Sequence, residues 1–526
     1  MEIPQITREE WQEDIAAFKE KTAAFFAGTF GKAQYKGFSG YYGSYAQRDG
    51  KACMLRLRMN CGRITKEKLA FAAEAIRKYN VDLIHFSTCQ NLQLHNISGE
   101  AAGEIMEQAL GAGILTIGGG GDYPRNVMCS PLSGVEKGEY FDVLPYAEAT
   151  ARFLTGFIRA KKLPRKLKVG FSNSPLNSTH ATFRDLGFAA RPDGKFDVYS
   201  AGGLGNKHRM GVLVAEAVDP VKTLYYVKAM WLTFSRYGNY KLRAQSRTRY
   251  MPAQLGSDEA YKAKFNEVLA EVLAGGEDLD INIKPEKIKK RDFKIISGFR
   301  VTPQKQVGLY AVNYHPAGGL PDIKNFLALA DYLKDVKDAE IRLTPDEGAY
   351  IINLTAREAA KVIALTPDSA YNAFTTSVAC IGSSVCQQGV GDSQALLRQC
   401  YEVLATEYAA SDALPQIHIS GCPSSCGTHQ IGAIGFRGTV KVIKKVPHAA
   451  FTLFVNGCPI QGREKFAEEI GVLLAEDIPF FLVEVGKHVA VSGMDFNGWY
   501  NADPNAIREI AKGYMDKIEL LGKDIK

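Results

Sequence analysis

Apolar and polar positions along the chain follow a pattern that occurs twice. Residues 54–59, MLRLRM, alternate and predict a strand, with a glycine-bearing turn after it. Residues 65–79, TKEKLAFAAEAIRKY, predict a helix that Thr65 could cap. Residues 83–97, LIHFSTCQNLQLHNI, alternate again and predict another strand with one buried face, and a second helix follows over 98–110. The same order returns as VGLYAVNYH, AGGLPDIKNFLALADYLK and EIRLTPDEGAYIINL between 307 and 354, then a helix over 355–364. The last segments align without a gap. Ile84 meets Ile341, Phe86 meets Leu343, Ser87 meets Thr344, Leu94 meets Ile351 and Ile97 meets Leu354. Pro321 sits near the start of the second copy's helix. Each unit therefore reads as strand–helix–strand plus a helix. The competing reading is chance likeness between two ordinary α/β units.

A loop of small residues follows each unit, GGGGDYPRNVMCSPLSG after the first and FTTSVACIGSSVCQQGVGDS after the second. Such loops allow a backbone to lie close to a ligand. The four glycines at 118–121 lack the G-x-G-x-x-G spacing of a dinucleotide fingerprint. Basic connectors occur at KKLPRKLK, RAQSRTR and KPEKIKKRDFK, the last read as a solvated linker. Hydrophobic content of 46% and charged content of 23% fit a globular chain of two to four domains. A net charge of +7 is too modest for a nucleic-acid binder and suits anionic ligands or an acidic protein partner. The first twenty residues do not read as a secretory signal, and no apolar run reaches membrane-spanning length. The expectation is a cytoplasmic protein whose ten cysteines are reduced.

Four of those cysteines are arranged as C-x5-C (Cys380, Cys386) and C-x3-C (Cys422, Cys426), both in loops of Gly, Ser and Pro. Four thiolates can hold a cubane iron–sulfur cluster, and small neighbours let backbone N–H groups reach the sulfurs. Structural zinc prefers pairs two to four residues apart, which C-x5-C fits poorly. Simple burial of unrelated cysteines is the third reading. For most of the other cysteines (53, 61, 89, 129, 400, 458) core packing is expected.

C-x5-C…C-x3-C behind a duplicated α/β unit resembles the sirohaem-dependent sulfite and nitrite reductases. LRLRMNCGRIT, YPRNV, LPRKLK, GGLG at 202–205 and ISGCPSSCGTHQIGAIGF match further family motifs, so the likeness runs from about 45 to 460. The resemblance implies a 4Fe–4S cluster on Cys380, Cys386, Cys422 and Cys426, with Cys426 also the proximal ligand of a sirohaem. It implies an α/β (α+β) fold: a ferredoxin-like domain built from the two repeats, and two related α/β domains holding the cofactors. The corresponding segments are 1–115 (N-terminal segment and first half-repeat), 116–295 (first sirohaem- and substrate-binding domain), 296–365 (second half-repeat) and 366–526 (cluster and sirohaem domain).

The family chemistry is six-electron reduction of sulfite to sulfide or of nitrite to ammonia. Arg58, Arg125, Lys166 and Lys168 fall in motif register as substrate residues. Arg56, Gln93, His95, Arg247 and Arg249 are the expected partners of the eight sirohaem carboxylates, and Gly203 is a further expected cofactor-binding residue. Lys168 stands where plant-type nitrite reductases tend to have Asn, which favours sulfite over nitrite. A non-catalytic cofactor-bearing electron-transfer subunit is the third reading, against which the intact cationic set argues. The chain departs from the family at Cys89, where an Arg is usual, and at Cys61, where a turn Gly is usual. No flavin or nicotinamide fingerprint is present, so electrons are expected from ferredoxin or a separate flavoprotein.

Overall fold

The computed structural model describes residues 7–283 and 294–522, so the basic segment KPEKIKKRDFK lies almost wholly outside the described residues. Two antiparallel sheets come from the repeats. The first orders its strands Ser44–Ala46, Cys53–Leu57, Asn91–Ile97, Leu83–Ser87. The second orders Val301–Pro303, Tyr310–Tyr314, Ala349–Leu354, Glu340–Leu343 and then Arg63–Ile64, a strand lent by the first repeat. One continuous core joins both, from Phe18, Leu55 and Phe86 to Tyr314, Phe326 and Leu343.

The repeat is the same backbone twice. Ile84 pairs with Leu94 as Ile341 pairs with Ile351. Left-handed residues also recur in step: Cys61 and Gly318, Gln90 and Glu347, Asn96 and Asn353. Two expectations need correction. Residues 83–97 form a hairpin rather than one strand, because the chain reverses at Thr88–Gln90 with Gln90 at φ 54°. Residues 340–354 do likewise. Nor is only one face buried: Asn91, Gln93 and His95 are buried along with Leu92 and Leu94, since the far face is covered by the rest of the protein. The helices fall at Lys66–Lys78, Gly99–Gly111, Ile323–Leu333 and Ala356–Leu365. Thr65 stands at the cap position of the first without a side-chain capping bond, and Asp322, just after Pro321, caps the third.

Each repeat leads into a five-stranded mixed sheet with helices packed on it. One runs Met128–Cys129, Val169–Ser172, Leu186–Ala190, Phe196–Ser200, Val212–Val218; the other runs Val378–Ala379, Ile417–Ser420, Ile434–Ile443, Val446–Val455, Glu468–Leu474. In both, the first three strands are parallel and the remainder antiparallel. Their cores are separate, built around Phe171, Phe188 and Phe234 in the first and Ile419, Phe436 and Phe481 in the second. No described helix is long and apolar enough to cross a membrane.

A small cluster of ion pairs centred on Arg63 and Glu340 ties three of these parts together. Glu340 accepts from Arg63 at both oxygens, 2.7 and 2.6 Å, and from Arg342. Arg63 also reaches Glu148 on helix Leu144–Thr155 at 2.5 Å. Burial alone would raise the Glu340 pKa, but Arg342 and Arg63 outweigh it and bring it down to about 2. A carboxyl held below its unfolded value stabilises the fold above the ordinary Glu range and loses that contribution as pH falls through the folded value. Glu340→Gln should therefore cost about 3 kcal/mol at pH 7, measured by urea unfolding. The wild-type advantage over the variant should shrink between about pH 4.5 and pH 2.

Candidate functional site

The segment just before the first α/β sheet supplies the site's scaffold. The carbonyls of Ile117, Gly119 and Gly121 face three arginines. Arg58 Nη1 donates to Ile117 O at 3.0 Å and Arg125 Nη1 to Gly119 O at 2.6 Å, while Arg56 also donates to Gly119 O. The glycines here are required by close approach. A Cβ on Gly118 would lie 2.6 Å from Arg58 Nη1, and one on Gly120 2.3 Å from Gly40 O. Burial first, then the neighbouring arginines, lowers Arg58 and Arg125 to about 10.

Lys166 and Lys168 enter from the stretch before strand Val169–Ser172. Lys166 is pushed well below the ordinary lysine range, by burial first and then by Lys168, Arg247 and Arg125. Arg247 and Arg249 come from the short helical turns after Leu242. Arg249 is also lowered by burial and by Arg247, and passes 3.5 Å from where a Cβ on Gly203 would stand. From the repeat's hairpin, Gln93 stands opposite Arg56 across the strands. His95 is held neutral, lowered to about 3 by burial, His85 and Arg56.

The thiols arrive from the second sheet. Cys380 follows strand Val378–Ala379, Cys386 ends the turn Gly382–Val385, and Cys422 and Cys426 follow strand Ile417–Ser420. The backbone N–H of Gly421 donates to Cys380 Sγ at 3.1 Å and that of Gln388 to Cys386 Sγ at 3.4 Å. Gly427 lets the Cys426 loop press on the sheet, since a Cβ there would sit 2.1 Å from Ile419 O. Cys426 is exposed within a cleft surrounded by protein. Burial raises its thiol, Lys166 and Lys168 pull it down, and Cys422 and Cys386 push it up again. Burial and then Cys426 raise Cys380 to about 12. The expected thiols and the two lysines therefore share one cleft, with Arg125 and Arg247 beside Lys166. Gln93 and His95 join them through Arg56, and Gly203 through Arg249. Among the described residues no three His, Cys, Asp or Glu stand where one ion could bind them all; thiolates on separate irons of a cluster have no such need.

Several residues that organise the site are not among the expected site residues, although Asn126 stands in the YPRNV motif. Asp185 is fully buried and takes the Lys168 backbone N–H at 2.8 Å, Arg247 Nη2 at 3.0 and 3.1 Å, and the Thr248 hydroxyl. Arg184 donates to Thr179 O at 2.7 Å. Asn126 Nδ2 pins the reversal at Cys89 through the carbonyls of Met59, Cys89 and Gln90. A usable signal exists: SNSPLNSTHATFRDLGF at 172–188 aligns gaplessly with SGCPSSCGTHQIGAIGF, and Arg184 and Asp185 then stand opposite Gly432 and Ala433. Cys89 lies among the cations. Burial would raise its thiol, yet Lys168, Arg184 and Arg56 prevail and bring it to about 6. Cys61 is buried at φ 58°, where its repeat counterpart is Gly318 at φ 57°, which accounts for the glycine usual in the family. Cys53, Cys129 and Cys400 are core residues.

Residues 45–112 match the nitrite/sulfite reductase ferredoxin-like half domain, and 120–272 match the nitrite and sulphite reductase 4Fe-4S domain. A ferredoxin–nitrite reductase of Synechococcus elongatus is 28% identical over 405 residues, 73% of this chain and 76% of that one. A sulfite reductase [ferredoxin] of Mycolicibacterium paratuberculosis is 27% identical over 422 residues, 76% and 73%. The solved structure of Mycobacterium tuberculosis NirA shares the fold, with TM-score 0.78 and 23% identity, covering 95% of this chain and 96% of that one. Over residues 45–112 and 120–272 the chain carries the ferredoxin-like half domain and the 4Fe-4S domain of nitrite and sulfite reductases, and it is an oxidoreductase.

The family's cofactors are a 4Fe–4S cluster and a sirohaem, and this chain's residues fit both. Backbone N–H groups already point at two of the sulfurs. Arg58, Arg125, Arg247 and Arg249 each keep a buried Nε without a hydrogen-bond partner among the described residues, as do both ring nitrogens of His95. Buried donors left unsatisfied cost about 1–3 kcal/mol each, more when charged, so they suit a polycarboxylate and an oxyanion. Asp185→Asn should free Arg247 and loosen Lys168. We expect about 100-fold slower turnover with an artificial donor, with the cluster's low-temperature EPR signal retained.

Proposed function

We propose that the chain reduces sulfite to sulfide with six electrons. In this reading Cys380, Cys386, Cys422 and Cys426 hold the 4Fe–4S cluster, and Cys426 also ligates the sirohaem iron. The observation that carries the proposal is the meeting of the Cys426 thiol with Lys166 and Lys168 in one cleft rich in positive charge. When bound, the coupled cofactors supply electrons singly to the anion. The side chains must do the rest.

Arg58 and Arg125 are assigned to the oxyanion oxygens, and the backbone carbonyls that each Nη1 bonds fix the direction of the guanidinium fork. Lys166, lowered by burial and by its cationic neighbours, gives up a proton from Nζ more readily than an ordinary lysine. That suits protonation of an oxygen that must leave as water. Lys168 adds a compact donor whose backbone is fixed by Asp185. Arg56, Gln93, His95, Arg247 and Arg249 are assigned to the sirohaem carboxylates, and Gly203 to leaving space beside Arg249. The working division of the chain is 1–115, 116–295, 296–365 and 366–526. Electrons are assigned to an external donor, ferredoxin or a flavoprotein; the relatives named above support ferredoxin.

Nitrite reduced to ammonia is the second reading, and one contact favours it. Cys89 beside Lys168 places a thiol that ionises near pH 6 where the family usually has a cation. That lowers the positive charge offered to the substrate, which suits a monoanion. The S. elongatus relative named for nitrite points the same way. Steady-state kcat/KM for both anions, with reduced methyl viologen as donor, decides between them. Under the sulfite reading, Lys168→Asn lowers sulfite kcat/KM at least tenfold more than nitrite kcat/KM; equal losses would remove the argument. Cys426→Ser should abolish the sirohaem visible spectrum and turnover together, and survival of both would refute the bridging assignment.

A further inference from the structure

The two α/β sheets repeat each other closely enough to carry the site across. Val169 pairs with Leu186 as Ile417 pairs with Ile434, and Met128 with Gly170 as Val378 with His418. The loops agree as well. Ser130 N–H donates to Phe171 O as Cys380 N–H donates to Ile419 O, and Glu136 N–H to Leu132 O as Cys386 N–H to Gly382 O. His180 N–H donates to Asn177 O as Thr428 N–H donates to Ser425 O, with all four residues left-handed. Ser130, Glu136, Ser174 and Ser178 thus occupy in the first sheet the places that Cys380, Cys386, Cys422 and Cys426 occupy in the second.

Those four residues line one cavity of about 640 Å³. Its opposite wall is the image of the other half of the site. Thr344, Asp346 and Tyr350 repeat Ser87, Cys89 and Gln93, and Gln416 repeats Lys168. The molecule therefore holds a second cavity, related to the candidate site by the duplication, with the chemistry exchanged. The thiolates are hydroxyls and a carboxylate. The positions of Arg56, Arg58, Arg125, Lys166 and Lys168 are held by Asn313, His315, Thr375, Leu414 and Gln416. Two acids have been gained, Glu136 opposite Cys386 and Asp346 opposite Cys89.

We propose that this second cavity binds a small organic cation, an amine or guanidine, on Asp346 and Glu136. Asp346 Oδ1 is buried and has no hydrogen-bond partner among the described residues, so a donor is wanted there. Glu136 accepts from Asn173 at 2.8 Å; burial and then Glu139 disfavour its charge against the bonds from Asn173 and Ser174, so a cation there would be stabilising. The two histidines on the walls do not compete. Burial brings His418 to about 4 and lowers His180 well below the ordinary range, so both are neutral. The cavity's cations, Arg463 and Lys465, come from one loop, and Arg463 is exposed. The volume is that of an ordinary small-molecule site, and the polar groups converge on it. This inference does not depend on whether sulfite or nitrite is the substrate.

Crystals of the cofactor-loaded enzyme soaked in two size-matched cocktails test it. One cocktail holds agmatine, putrescine, benzamidine and argininamide; the other holds glutarate, benzoate, citrate and phosphate. The expected result is density for an amine or amidine within hydrogen-bond distance of Asp346, and none for the anions. The double variant Asp346→Asn/Glu136→Gln should lose that density, with turnover within twofold of wild type. Only water in the cavity with the amine cocktail, anions bound there, or an amine retained by the double variant would overturn the proposal.

Discussion

Positive charges brought together inside a protein repel one another, by about 4 kcal/mol per pair at 4 Å and an effective dielectric of 20. The site depends on how that repulsion is contained. Backbone carbonyls of Ile117, Gly119 and Gly121 hold three arginines, and Asp185 alone anchors Lys168 and Arg247. The glycine run is thus a device for presenting carbonyl oxygens at close range, since side chains there would fill the space the guanidinium groups occupy. Because the counter-charges are so few, the cations keep lowered pKa values and buried N–H groups that are not spent on hydrogen bonds among the described residues.

Duplication explains how such a site is assembled without a single element supplying all of it. Cations enter ahead of the parallel strands of one sheet, and thiols leave from the far ends of the parallel strands of its copy. Two copies packed about a common repeat core must create two such meetings. Only one has the charges and sulfurs together. The other is lined by hydroxyls, two acids and two neutral histidines beside apolar surface, so the two sites differ in chemistry much more than in backbone.

The departures at Cys61 and Cys89 have different physical meanings. Cys61 sits where the backbone is left-handed; strain of roughly 1–2 kcal/mol is set against burial of its thiol in the core. Cys89 lies among the cations of the candidate site. Burial would raise its thiol, but Lys168, Arg184 and Arg56 hold it down, so it reduces the net positive charge of that cluster.

The sequence by itself determined the repeat, its helices, the thiol spacing and the cationic motifs, because these are written in periodicity and in residues close along the chain. It did not reveal that residues 83–97 reverse at Gln90, since alternation reads alike in one long strand and in two paired ones. Nor did it reveal that the polar face of that hairpin is buried, which depends on what packs against it. Asp185, Arg184 and Asn126 lie in segments that the sequence marks, but their roles do not show there, for a related reason. Their roles are hydrogen bonds to atoms distant in sequence, such as Arg247 and Cys89, and only the folded chain brings those atoms within reach. Tertiary structure alone placed Lys166 beside Cys426, because one comes from each copy and the cleft exists only where the copies face each other.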